Sequence, residues 1–116
     1  MTLAEFKELC LTFPDSVVDS PFSSYDTETA RHLSNKKWFA LLITLEGRPA
    51  VNLKCEPMKA DFWRGAYPGA VVPAWHMNKE HWNTLYLDSG VPERDIFEML
   101  SDSYELTRGK PRQASR

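Results

Sequence analysis

The sequence predicts a single α+β domain, an antiparallel sheet built as a meander with helices packed against it. Three observations lead there. Apolar residues recur at helical spacing near both ends of the chain, strand-like apolar runs fill the middle, and several of the turns between those runs are short. Short connections cannot return a chain to a parallel neighbour, so the strands they join pair antiparallel. With 116 residues, 42% hydrophobic and 26% charged, the chain has the length and balance of one domain with its own core. The domain is expected to span residues 1–109, leaving 110–116 as a short basic tail.

The elements follow in order. Thr2 and Glu5 read as a capping box for a first helix, whose apolar face is Leu3, Phe6, Leu9, Cys10 and Phe13. Pro14 ends it, because the residue before proline is pushed out of the α region. Ser20–Ser23 is read as a short extended piece. Thr29–Ser34 is the next strand, turned by Asn35-Lys36 into Lys37–Leu45, a central strand covered on at least one face. Glu46-Gly47 is a tight turn leading to Ala50–Lys54. Pro57 suits the first position of a second helix, where its missing N–H costs nothing. Pro68-Gly69 turns the chain into strand Val71–Ala74, and Trp82–Leu87 forms another. Pro92 opens a third helix with Glu93 and Asp95 in its first turn and Ile96, Phe97, Leu100 and Tyr104 inside. Gly109 is its expected stop.

Composition removes several function classes. The longest apolar run, Trp38–Leu45, is far shorter than a membrane span, and the N-terminus lacks the pattern of a secretory signal, so a cytoplasmic protein is expected. Cys10 and Cys55 are too few and too far apart for a disulfide framework or a redox pair. There is no P-loop, GxGxxG or GxSxG, and no cofactor is predicted. His76 and His81 lie five apart, not the four that favour a shared metal on a helix, and HExxH is absent, so no metal site is predicted. A Cys55–histidine pair would need the fold to bring them together, and catalysis is not expected.

Two longer stretches carry more information. Asn52-Leu-Lys-Cys-Glu-Pro57 follows a strand, and His76-Met-Asn-Lys-Glu-His-Trp-Asn83 runs into one. With Ser20-Pro21-Phe22, Lys37-Trp38-Phe39-Ala40 and Ser103-Tyr104, they resemble the signatures of the MmcQ/YjbR family over nearly the whole chain, from Leu9 to about Leu106. That resemblance implies a fold described as CyaY-like or double-wing, and it carries the label of DNA binding by likeness of shape, which does not itself determine function. It brings no catalytic residues. One departure stands out: Ser-Asn-Lys-Lys occupies residues 34–37, where the family more usually has a glycine-containing turn.

The net charge of −2 gives no global attraction to nucleic acid, yet charge is unevenly placed. Residues 1–30 are acidic by five and residues 31–80 basic by four. The expected function is therefore a DNA-binding module whose basic middle segment contacts phosphates. Lys36, Lys37, Lys54, Lys59 and Arg64 supply charge, with Lys79, Asn78, His76 and Trp75 as point charge, hydrogen-bond donors and stacking platform. The competing readings are plain. The cations form a solvated face with snorkelling stems, and Asn78 caps a turn while Trp75 and Trp82 pack inward. The alternative function is a module binding a protein or small ligand in an aromatic-rimmed groove made by Trp63, Tyr67 and Trp75.

Overall fold

Four aliphatic side chains in register, Leu42, Val51, Leu85 and Val71, run across four neighbouring strands of one sheet and form the floor of the core. The computed structural model describes residues 1–20, 27–74 and 77–109. In chain order it contains α1 (Leu3–Leu11), β1 (Ser16–Asp19), β2 (Glu28–His32), β3 (Trp38–Leu45) and β4 (Arg48–Lys54). These lead to α2 (Pro57–Ala66), β5 (Val71–Pro73), β6 (Trp82–Tyr86) and α3 (Glu93–Thr107). The strands make a six-stranded, wholly antiparallel sheet in the order β1-β2-β3-β4-β6-β5. The meander therefore runs through β1 to β4. Beyond α2 the chain lays β5 at the outer edge and returns β6 between β5 and β4.

All three helices pack on one face. From α1 come Phe6 and Cys10, from α2 Ala60 and Trp63, and from α3 Ile96, Met99, Leu100 and Tyr104, all buried against the aliphatic rows of the sheet. The Thr2–Glu5 capping box is present, and α1 stops at Leu11, short of Phe13-Pro14. Pro57 takes the first turn of α2 as expected.

Boundary differences have local causes. The edge strand β1 was not foreseen: Asp15 takes a positive φ of 57°, reversing the chain directly after Pro14, so that Val17 and Val18 lie along β2. Of the expected extended piece Ser20–Ser23, Ser20 is not a strand residue and positions 21–23 lie outside the described residues. The β2–β3 turn explains the missing glycine. Lys36 itself adopts the left-handed φ of 65°, costing about 1–2 kcal/mol for a residue with a Cβ. Asn35 braces it, accepting from the Lys37 N–H at 2.8 Å and donating to the Thr107 carbonyl at 3.0 Å. A register shift between Ala30 and Arg31 lets the adjacent residues Phe39 and Ala40 both bury.

Helix α3 is tied into the sheet by one hydroxyl. Ser103, fully buried, donates to the Phe39 carbonyl at 2.5 Å and accepts from the Lys54 N–H at 2.8 Å. It thus bridges β3 and β4 where their own ladder ends. Next to it, the Tyr104 hydroxyl donates to the Pro14 carbonyl at 2.6 Å, which fixes the α1–β1 corner. Replacing Ser103→Ala leaves two buried backbone groups unpaired and should cost about 1–3 kcal/mol, read as a lower urea midpoint with an unchanged slope.

His32 is the buried imidazole of this region. It is 1% exposed, packs at 4.6 Å from the Tyr104 ring and 5.1 Å from that of Phe39, and has Nε2 2.9 Å from the Thr107 hydroxyl. Burial pushes its pKa below the ordinary value of about 6.5. The unfolded chain therefore takes up the proton first. The resulting stability is complete above about pH 6.5 and is lost as pH falls toward the folded-state pKa. Between pH 7 and 5 the wild type should lose stability more steeply than His32→Gln, as measured by urea unfolding at each pH.

Candidate nucleic-acid interface

The helix-free face of the sheet is set by strand parity. Residues paired in register share a face, so Thr29, Leu41, Asn52, Thr84 and Val72 form one row opposite the core. Stepping two residues along β4 and β6 adds Lys54 paired with Trp82, and stepping two along β2 and three along β3, past the bulge, adds Arg31 paired with Trp38. The middle of this face is closed by a buried polar pair. The Thr84 hydroxyl donates to Asn52 Oδ1 at 2.5 Å, and Asn52 Nδ2 contacts Met77 Sδ at 3.4 Å. Asn52 and Thr84 belong to or adjoin the two long motifs, and here both serve the fold.

The expected contact residues separate into two groups. Lys36, Lys37 and Lys54 gather near the end of the sheet where β3 begins and β4 ends, and none has a carboxylate partner among the described residues. The other cations are engaged. Lys59 links α2 to α3 through Glu98 at 2.9 Å and Asp102 at 2.7 Å, and those hydrogen bonds, Asp102 first, hold its ammonium well above the ordinary lysine range. Lys79 Nζ donates to the Ala74 carbonyl at 2.9 Å. Arg64 is a hub: Nε donates to Asn83 Oδ1 at 2.7 Å, and the guanidinium also donates to the carbonyls of Lys79 and Trp82. Asp61 lies 3.5 Å from it. Arg64 thus holds the 77–82 connection against α2, as its planar fork of five donors suits it to do.

Asn78 is the turn-former: its Oδ1 accepts from the Glu80 N–H at 2.9 Å and its carbonyl accepts from the His81 N–H. Trp75 and His76 lie outside the described residues, as does the tail 110–116. The aromatic groove does not form from its described members. Trp63 is only 4% exposed and stacks on Tyr67 at 6.1 Å, while the Tyr67 hydroxyl donates to Asp95. Those rings fill the space between α2 and its neighbours. Cys55 is buried, its N–H donates to the His81 carbonyl, and burial pushes its thiol up to about 11. Cys10, deeper in the core, is pushed up to about 12 by burial.

Residue-by-residue reading did not identify Trp38 and Trp82 as candidates for this surface. The two residues lie on the same face as Lys54, but for Trp82 this follows only from knowing that β4 pairs with β6, and for Trp38 from the pairing of β3 with its neighbours. Also unforeseen is a cleft of about 540 Å³ toward the opposite end of the sheet, lined by Thr44, Leu45, Glu46, Val72, Pro73, Thr84 and Tyr86. Arg48 lies 4.0 Å above the Tyr86 ring and pairs with Asp88 at 2.8 Å. Among the described residues no helix is long and apolar enough to cross a membrane.

The family model described as YjbR matches residues 11–106. The chain is 34% identical over 101 residues to the uncharacterized protein YyaQ of Bacillus subtilis, covering 78% of this chain and 84% of that one. It is 32% identical over 107 residues to the uncharacterized protein YjbR of Escherichia coli K12, covering 90% and 86%. A crystal structure of a Pseudomonas syringae protein superposes with a TM-score of 0.82 at 30% identity, over 93% of this chain and all of that one. A Deinococcus radiodurans protein with a domain described as DUF419 gives 0.82 at 32% identity, over 99% and 85%.

If Arg64 is structural, Arg64→Ala should free the 77–82 connection. Amide exchange there should accelerate, and stability should fall by about 1.5–3 kcal/mol for the loss of hydrogen bonds to a charged donor.

Proposed function

We propose a binding rather than a catalytic role for this chain, which belongs to the YjbR family. It is a non-enzymatic DNA-binding module that docks through the helix-free face at the end marked by Lys36, Lys37 and Lys54. The observation that carries this reading is the separation of charge. Lys54 is paired in register with Trp82, and Lys36 and Lys37 stand in the turn that leads into Trp38, all three without described carboxylate partners. Exposed carboxylates such as Glu5, Glu8 and Glu93 lie on helices of the opposite layer. A phosphate backbone approaching such a molecule is attracted on one side and repelled on the other, which orients it in spite of the net charge. The indole rings add stacking surface for exposed bases. The β2–β3 turn, carrying Lys36 and Lys37, is the wing-like element of the double-wing likeness. Two free, buried cysteines suit a reducing cytoplasm, where DNA is at hand.

Of the original contact set, Lys59 and Arg64 drop out of this proposal because their charges are spent inside the fold. Fluorescence anisotropy with labelled duplex and single-stranded DNA at several salt concentrations tests it. Affinity should fall steeply with salt, and Lys37→Ala and Lys54→Ala should each lower the salt slope by about 1. Lys59→Ala should leave affinity unchanged. Absence of binding at the lowest salt, or equal losses for Lys59→Ala and Lys54→Ala, would overturn the proposal.

A further inference from the structure

Four residues stand in one row across the helix-free face. Arg31 on β2 pairs in register with Trp38 on β3, and Lys54 on β4 with Trp82 on β6, next to the row that holds Thr29, Leu41, Asn52 and Thr84. Cation and indole thus alternate over four adjacent strands. At a strand spacing of about 4.8 Å the row is about 14 Å wide. Arg31 is held by Asp19 at 2.7 Å, so the positive charge left in the row is that of Lys54. Trp82 is half-buried, and its indole is unlike the other rings near it. Trp63 stacks on Tyr67, and Tyr86 lies under Arg48. The Trp82 indole has no ring, cation or hydrogen-bond partner among the described residues.

We infer that this end of the face is a platform for single-stranded DNA, on which a base stacks against Trp82 while Lys54, Lys36 and Lys37 hold phosphates. The inference rests on the DNA-binding reading above and names the form of DNA. Its physical reason is what each form exposes. A duplex stacks its bases on one another and turns only their edges to the grooves. The largest favourable contact for an indole is the face of a base, which a single strand presents. Width points the same way. The major groove, about 12 Å across, admits a helix or a two-stranded ribbon, and a row four strands wide does not enter it. Every base has a π-face, so such a platform tolerates any sequence.

Anisotropy of the full chain with three labelled DNAs tests this: a mixed-sequence strand of about 16 nucleotides, the duplex with its complement, and an abasic strand of the same length. The single strand should bind more tightly than either of the others by about 5- to 160-fold, the value of one stacked base. Trp82→Ala should lose about that factor on the single strand and leave the duplex unchanged, and Trp82→Phe, which keeps an aromatic face, should lose less. The abasic strand carries the same phosphates and needs no variant, so it decides the matter even where Trp82→Ala fails to fold. A duplex or an abasic strand bound as tightly as the single strand overturns the platform and leaves the DNA-binding reading standing. So does a folded Trp82→Ala chain that binds the single strand like the wild type. A chain that binds none of the three at the lowest salt overturns both.

Discussion

The architecture depends on how α3 is held against the sheet. The Ser103 hydroxyl substitutes for the ladder bond that β3 and β4 would otherwise make, accepting from one strand and donating to the other inside the core. A hydroxyl can do both at once; an aliphatic side chain can do neither. Because the bond is buried, its loss exposes no replacement water, and the aromatic cluster of Phe13, Phe39, His32 and Tyr104 packs around the same point. The position of α3 in turn fixes the β2–β3 turn, through Asn35 and the Thr107 carbonyl, and so sets where Lys36 and Lys37 stand.

The same economy governs the polar motifs. Asn78 and Arg64 read as contact residues in the sequence, and Asn52 and Asn83 stand in its two long motifs, yet each has hydrogen-bond partners within the chain. Buried or half-buried polar groups must be paired, and a two-layer domain leaves one sheet face without helices to pair them. Here the connection at 77–82 does that work, held from below by Arg64. What the described ion pairs leave without a carboxylate partner is the group of three lysines at one end of the sheet, Lys36, Lys37 and Lys54.

Legibility in the sequence followed the range of the interactions. The capping box at Thr2, the Pro57 start of α2 and the Glu46-Gly47 turn are read within a few residues, and each was legible. The edge strand β1 was not, because four residues gain strand character only through pairing with β2. The order of β5 and β6 was likewise open, since nothing local says which of two short strands sits inside. For the candidate surface, residue types suggested cations, but Lys54 and Lys59 are five apart and read alike. One faces away from the helices, and the other lies between two carboxylates.

By itself, then, the sequence determined the helices, most of the strands, the antiparallel pairing of neighbours and the family, because these follow from periodicity, caps and turns in short windows. The tertiary structure alone decided which face each strand residue occupies, which cations are neutralised and which aromatic rings are buried. Those outcomes depend on contacts between residues tens of positions apart, where burial and Coulomb partners are set by neighbours in space and not in sequence.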